Sequence, residues 1–166
     1  MVGGISIIGW FHTIVGIAGI LSGLYLLIRY RFIHIWSRLG KFYITCTLLA
    51  SGSSFFIFSA TGSFNDAHLL SLLTILAIIG AFVLDRFNLF GSLTKYLKEF
   101  AMSATILFSL LPTTAEVLKR LPPNEPFVDS LDDPLVINFY LSYLIIFVFF
   151  AIYQTLLVKG GALNEH

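Results

Sequence analysis

Five apolar stretches, each close to the length of a bilayer crossing, leave this chain few folds to choose from. They run over about residues 5–28, 42–60, 68–84, 96–118 and 135–158. A helix that spans the hydrocarbon core needs ~20 predominantly apolar residues. The third stretch is short and reaches that length only if residues on both flanks stay helical. Lipid cannot satisfy free backbone amides, so apolar segments of this kind cross as helices. Composition agrees: 57% of the 166 residues are hydrophobic and 11% are charged, with a mean hydropathy of +0.90, whereas soluble domains carry about 25% charge. The expected fold is a single all-α, polytopic membrane bundle of about five transmembrane helices over residues 1–166. The first stretch lacks a basic n-region and is too long for a signal-peptide core, so it is expected to remain as a membrane helix.

Charge between the stretches predicts their orientation. Arg29, Arg31, Arg38 and Lys41 follow the first stretch with no acid among them, and Arg86, Lys95 and Lys98 follow the third beside Asp85 and Glu99. The second is followed by Asp66 alone. The fourth is followed by Lys119 and Arg120 with Glu125, Asp129, Asp132 and Asp133. Lys and Arg accumulate on the cytoplasmic side, which puts the N-terminus outside and the C-terminus, with Lys159, inside. The expected location is the bacterial inner membrane and the expected partner is the lipid bilayer. No basic stripe interleaved with aromatics points to nucleic acid. The lone Cys46 lies in an apolar run, reads as a buried free thiol, and excludes an internal disulfide or a cysteine metal cluster.

Local signals mark the helix ends. Asp133-Pro134 is an N-cap followed by proline at the first helical position, and Leu121-Pro122-Pro123 stops the fourth helix. The acidic segment 122–134 is too short to be a domain. Aromatics gather where two interfacial belts would lie: Trp10, Phe11, Tyr140 and Tyr143 outside, and Tyr25, Tyr30, Trp36, Phe42 and Tyr43 inside.

Ionisable side chains at membrane depth are costly, so each marks a candidate function. His12 is followed by Gly16, Gly19 and Gly23, four, seven and eleven residues on, all on one helix face at ~100° per residue. That bare strip either admits a closely packed helix or leaves room for a flat ligand beside a histidine. His68 opens the third stretch and Glu116 lies near the end of the fourth, so three potential ligands fall at a similar outer depth. Pro112, Ser109 and Thr105 form a stripe below Glu116 that is expected to face the bundle interior. His34 lies among Arg31, Arg38 and Lys41 on a segment, 32–36, expected to lie along the membrane surface. His166 is terminal.

These residues resemble a family of bacterial predicted multi-pass membrane proteins of unknown function. The resemblance rests on Gly9-Trp10-Phe11-His12 with its spaced glycines and on Gly40-Lys41-Phe42-Tyr43. It extends to Gly62-Ser63-Phe64, to His68-Leu69-Leu70-Ser71-Leu72-Leu73-Thr74, and to Ala115-Glu116 with Arg120, over about residues 9–120. Members carry two further inner histidines. Here Trp36 holds the first such place, with His34 displaced by two residues, and 93–102 contains none. The family has no assigned activity, so the resemblance implies the fold and points to His12, His68 and Glu116 without a reaction.

Three readings of the outer residues follow. His12 and His68 from two helices suit axial ligation of a b-type haem, with Gly16, Gly19 and Gly23 giving the macrocycle room. His12, His68 and Glu116 make a two-histidine, one-carboxylate set for a divalent transition metal, with Asp66 in support, as in a membrane hydrolase; without metal they would relay protons or gate a ligand. In the third reading they bond to one another and lock the bundle of a structural or accessory subunit, within a larger membrane assembly or a homo-oligomer. No G-x-S-x-G elbow, P-loop, dinucleotide fingerprint or H-E-x-x-H is present.

Overall fold

The computed structural model describes residues 6–57 and 63–161. Ile5, the end of the second apolar stretch at 58–60, Gly62 and His166 lie outside them. The described residues are all-helical: α1 (Ile7–Tyr30), α2 (Arg38–Ser54), α3 (Asp66–Phe87), α4 (Thr94–Arg120, entered through a 3-10 turn at Gly91–Leu93) and α5 (Pro134–Lys159). Four of the five, all but α2, are long and apolar enough to cross a membrane.

Four of the five starts, all but that of α4, are set by a side chain that accepts from the orphan amides of the first turn. Ser6 caps α1, Ser37 caps α2, Asn65 caps α3 and Asp133 caps α5 ahead of Pro134. The cap at Ser37 explains why α2 starts at Arg38 rather than at the apolar Phe42. Its 17 residues rise only ~25 Å at 1.5 Å per residue, short of a hydrocarbon core of ~30 Å. Arg31 and Asn88 close α1 and α3 in the left-handed region, at φ 67° and 46°.

α1 and α2 form the closest antiparallel pair. A Cβ added at Gly16 would lie 3.9 Å from Ala50 Cβ, one at Gly19 3.2 Å from Thr47 Oγ1, and one at Gly23 2.6 Å from the Tyr43 ring and 2.9 Å from Ile106 Cδ1. The glycine face therefore meets α2 along its length and α4 at Gly23. α3 pairs with α4, α2 bridges to α3, and α5 neighbours α4 alone among the helices.

The main core gathers at one end of the bundle. Leu26, Tyr43, Ile78, Ala81, Met102 and Ile106 pack there, and Ile33 and Ile35 of the α1–α2 loop insert between them. Phe32, Ile33 and Ile35 are all buried. The segment 32–36 is thus a plug in the bundle, not a strip along the membrane surface: its three apolar side chains face inward while Arg31 and Trp36 stay out. A smaller core of Leu118, Val128 and Val136 closes the other end, where the acidic loop folds back and Val128 N–H donates to Leu118 O.

Gly23→Ala is expected to lower stability by about 1–3 kcal/mol, the range for overpacking a filled core. Gly52→Ala should leave it unchanged, because a methyl there meets nothing within 4 Å. Thermal unfolding of both variants in one detergent measures the difference, and equal midpoints would contradict the packing assigned to Gly23.

Candidate functional site

His12 and His68 are held by their own helices and by α2. His12 Nδ1 lies 2.9 Å from the Ala50 carbonyl and 3.1 Å from Ser53 Oγ. A carbonyl only accepts, so the proton sits on Nδ1 and a neutral ring keeps its lone pair on Nε2. His68 is buried and closes a capping box with Asn65: its Nδ1 is 3.2 Å from the Asn65 amide and 2.7 Å from its side-chain oxygen. The Phe64 ring stacks on it with centroids 5.4 Å apart. Both histidines pack by the C-terminal part of α2, His12 at Ala50 and Ser53 and His68 at Phe55.

Glu116 stands apart. Its side chain is 59% exposed and pairs with Arg120 at 2.5 Å, one turn on. Of the stripe beneath it, Thr105 is fully buried and Ser109 and Pro112 are half-buried, so the stripe leaves the bundle interior as it nears the end of α4. Asp66 is exposed in the first turn of α3, where a negative charge suits the helix dipole. Among the described residues no group of three or more His, Cys, Asp or Glu is placed to hold a metal ion. The strip of Gly16, Gly19 and Gly23 receives α2.

The densest polar constellation lies at the opposite end. Asp85, near the end of α3, accepts from Trp36 Nε1 at 2.8 Å and from Lys98 Nζ at 3.0 Å. Lys98 also lies 3.5 Å from Glu99 Oε1. Glu99 is only 3% exposed, and its second oxygen has no hydrogen-bond partner among the described residues. Beside it Ser103 donates to Gln154 Oε1 at 2.9 Å, while Gln154 Nε2 donates to Arg31 O at 2.6 Å. This chain of contacts joins the α1–α2 loop, α3, α4 and α5.

Next to the chain lies a cavity of about 590 Å³, floored by Leu26, Ile35 and Leu39 and edged by Tyr30, His34, Trp36, Ser37 and Lys98. Its size falls within the 300–1,000 Å³ common for small-molecule sites. It sits at the strongly cationic end. Among the described residues, Arg29, Arg31, Arg38, Lys41, Arg86, Lys95, Lys98 and Lys159 gather there against Asp85 and Glu99.

Sequence reasoning placed Lys98, Glu99 and Asp85 in a connecting loop and passed over Gln154. One signal was available: Glu99, Met102, Ser103 and Ile106 recur at helical spacing, and all four are buried. A carboxylate in phase with that apolar face belongs to the bundle interior. Comparison with protein-family models, curated proteins and solved structures finds no match for the chain.

Removing Lys98 alone strands the buried Glu99 carboxylate, while Asp85 keeps its bond from Trp36. Lys98→Met is expected to cost roughly 2–4 kcal/mol, somewhat below the range for a fully buried pair because Lys98 keeps some solvent contact. Adding Glu99→Gln should recover most of the loss. Chemical unfolding of the single and double variants in micelles reads the coupling, and additive effects would show that Lys98 and Glu99 do not act as a pair.

Proposed function

We propose that this protein is a structural or accessory subunit of a bacterial inner-membrane assembly, with its N-terminus outside and its C-terminus in the cytoplasm. The observation that carries the reading is the use made of its polar side chains, which tie helix to helix. His12 joins α1 to α2, Ser54 donates to Ser71 between α2 and α3, and Tyr43 bonds Thr105 between α2 and α4. Ser103 and Thr114 join α4 to Gln154 and Tyr143 of α5. In lipid such bonds and close backbone approach, rather than apolar burial, hold helices together. A framework this thoroughly cross-tied suits a rigid part better than a moving one. The resemblance to uncharacterised multi-pass membrane proteins belongs to the same proposal.

The surface for a neighbouring chain is α5. Among the described helices it packs on α4 alone, and Ile146 and Phe149 are exposed, Phe149 by 70%. The orientation rests on the charge difference between the ends, cationic where α1 finishes and acidic at the loop 121–133.

A photo-cross-linking residue at Phe149, activated in intact membranes, is expected to trap a second polypeptide, either a distinct subunit or another copy. Adducts to lipid alone would overturn the subunit reading. Reporter fusions within 29–41 should be active only in their cytoplasmic form, and an outward-active fusion would reverse the orientation.

A further inference from the structure

We infer that the cavity between the α1–α2 loop and the first turns of α4 binds an anionic amphiphile, a single phosphate or carboxylate head on a hydrocarbon body. The lining carries both halves of that recognition. Leu26, Ile35 and Leu39 give an apolar floor, and no carboxylate lines the space. Lys98 has three N–H bonds, of which Asp85 and Glu99 engage two. The third can reach an anion without breaking either pair. The Tyr30 phenol supplies a second donor on the same rim. Ser37 is committed elsewhere, accepting from Gly40 N–H and donating to His34 O, and the Trp36 N–H is held by Asp85.

Two further observations select a charged, membrane-derived ligand over a neutral soluble one. Among the described residues the cations clustered at this end far outnumber the carboxylates, and cations near an anionic leaflet attract it. The mouth is marked by Tyr30 and Trp36, exposed by 40% and 63%. Such amphipathic rings settle at headgroup level, so the cavity opens where lipid heads lie. The same chemistry is offered by a phospholipid headgroup and by a free fatty acid, and the leaflet phospholipid is the occupant favoured by that position.

Native mass spectrometry of the full chain, released from micelles doped with phosphatidylglycerol or with phosphatidylcholine of identical acyl chains, tests the assignment. One phosphatidylglycerol should be retained per chain in clear preference to phosphatidylcholine. Lys98→Gln should weaken retention about tenfold, the factor that corresponds to losing one hydrogen bond to a charged group. Because that variant also disturbs Glu99, Leu39→Trp provides an independent block: it adds a bulky ring to the cavity wall and keeps every charge, and it should abolish the preference. Lys159→Gln, a change in the same charge field outside the cavity lining, should leave most of it intact. Stronger retention of oleate than of phosphatidylglycerol would support the anionic amphiphile and assign it to a fatty acid. Equal retention of the two phospholipids, survival of the preference in Leu39→Trp, or a loss in Lys159→Gln as large as in Lys98→Gln would overturn the site.

Discussion

The contact between the Gly23 backbone and the Tyr43 ring sets the spacing on which the rest of the bundle depends. Lipid is as apolar as leucine, so helices in a bilayer gain little by hiding apolar side chains from it. What holds them is close van der Waals contact and hydrogen bonding, and both need short interaxial distances. The Tyr43 ring lies against bare backbone at Gly23 and beside Ile106, and its hydroxyl reaches Thr105 on α4. One fully buried side chain thereby fixes α1, α2 and α4 relative to one another. A residue larger than glycine at position 23 would push the ring away, and the bond to Thr105 would stretch with it.

From that contact the plug at 32–36 follows. With α1 and α2 drawn together near Gly23, the connection between them must turn within a few residues. Arg31 adopts a left-handed conformation, and Ser37 bonds back to the His34 carbonyl while it caps α2. Gly40 lies against this turn: a Cβ there would collide with the His34 carbonyl. The tight turn leaves Ile33 and Ile35 pointing into the core and the Arg31 carbonyl facing Gln154 of α5. The cavity beside Lys98 lies against this same turn, with Ile35 in its floor and Trp36 at its rim.

Much of the architecture is legible in the sequence because its causes are local. Apolar length calls for helices, and Asp133 and Pro134 carry their cap and first-turn roles in their own chemistry. Other parts depend on partners distant in the chain. Nothing within 32–36 distinguishes an interfacial strip from a plug, since that depends on the space left by Tyr43 and Met102. Glu116 reads as interior from its stripe, yet Arg120 one turn later offers a surface partner, and an exposed ion pair avoids the desolvation that burial would impose. Glu99 shows the reverse: adjacent charges at Lys98 and Glu99 look like a solvated loop until α4 is seen to begin at Thr94 and turn Glu99 inward. The glycines after His12 are compatible with a ligand or a helix from sequence alone, and it is the spacing of Ala50, Thr47 and Tyr43 on α2 that matches them in antiparallel register.

The two ends of the molecule also divide rigidity from charge. At the acidic end a small core of Leu118, Val128 and Val136 is joined by a loop whose charges face water. At the cationic end the larger core, the plug and the chain from Trp36 through Asp85 and Lys98 to Glu99 are contiguous, so the charges there are anchored to packed helices. A cation on a mobile loop attracts anions diffusely. Lys98 is different, because Asp85 and Glu99 hold its ammonium group in one place. Fixed orientation next to an apolar floor is what turns a surface potential into a site, and Lys98 alone among the cations of this end has both.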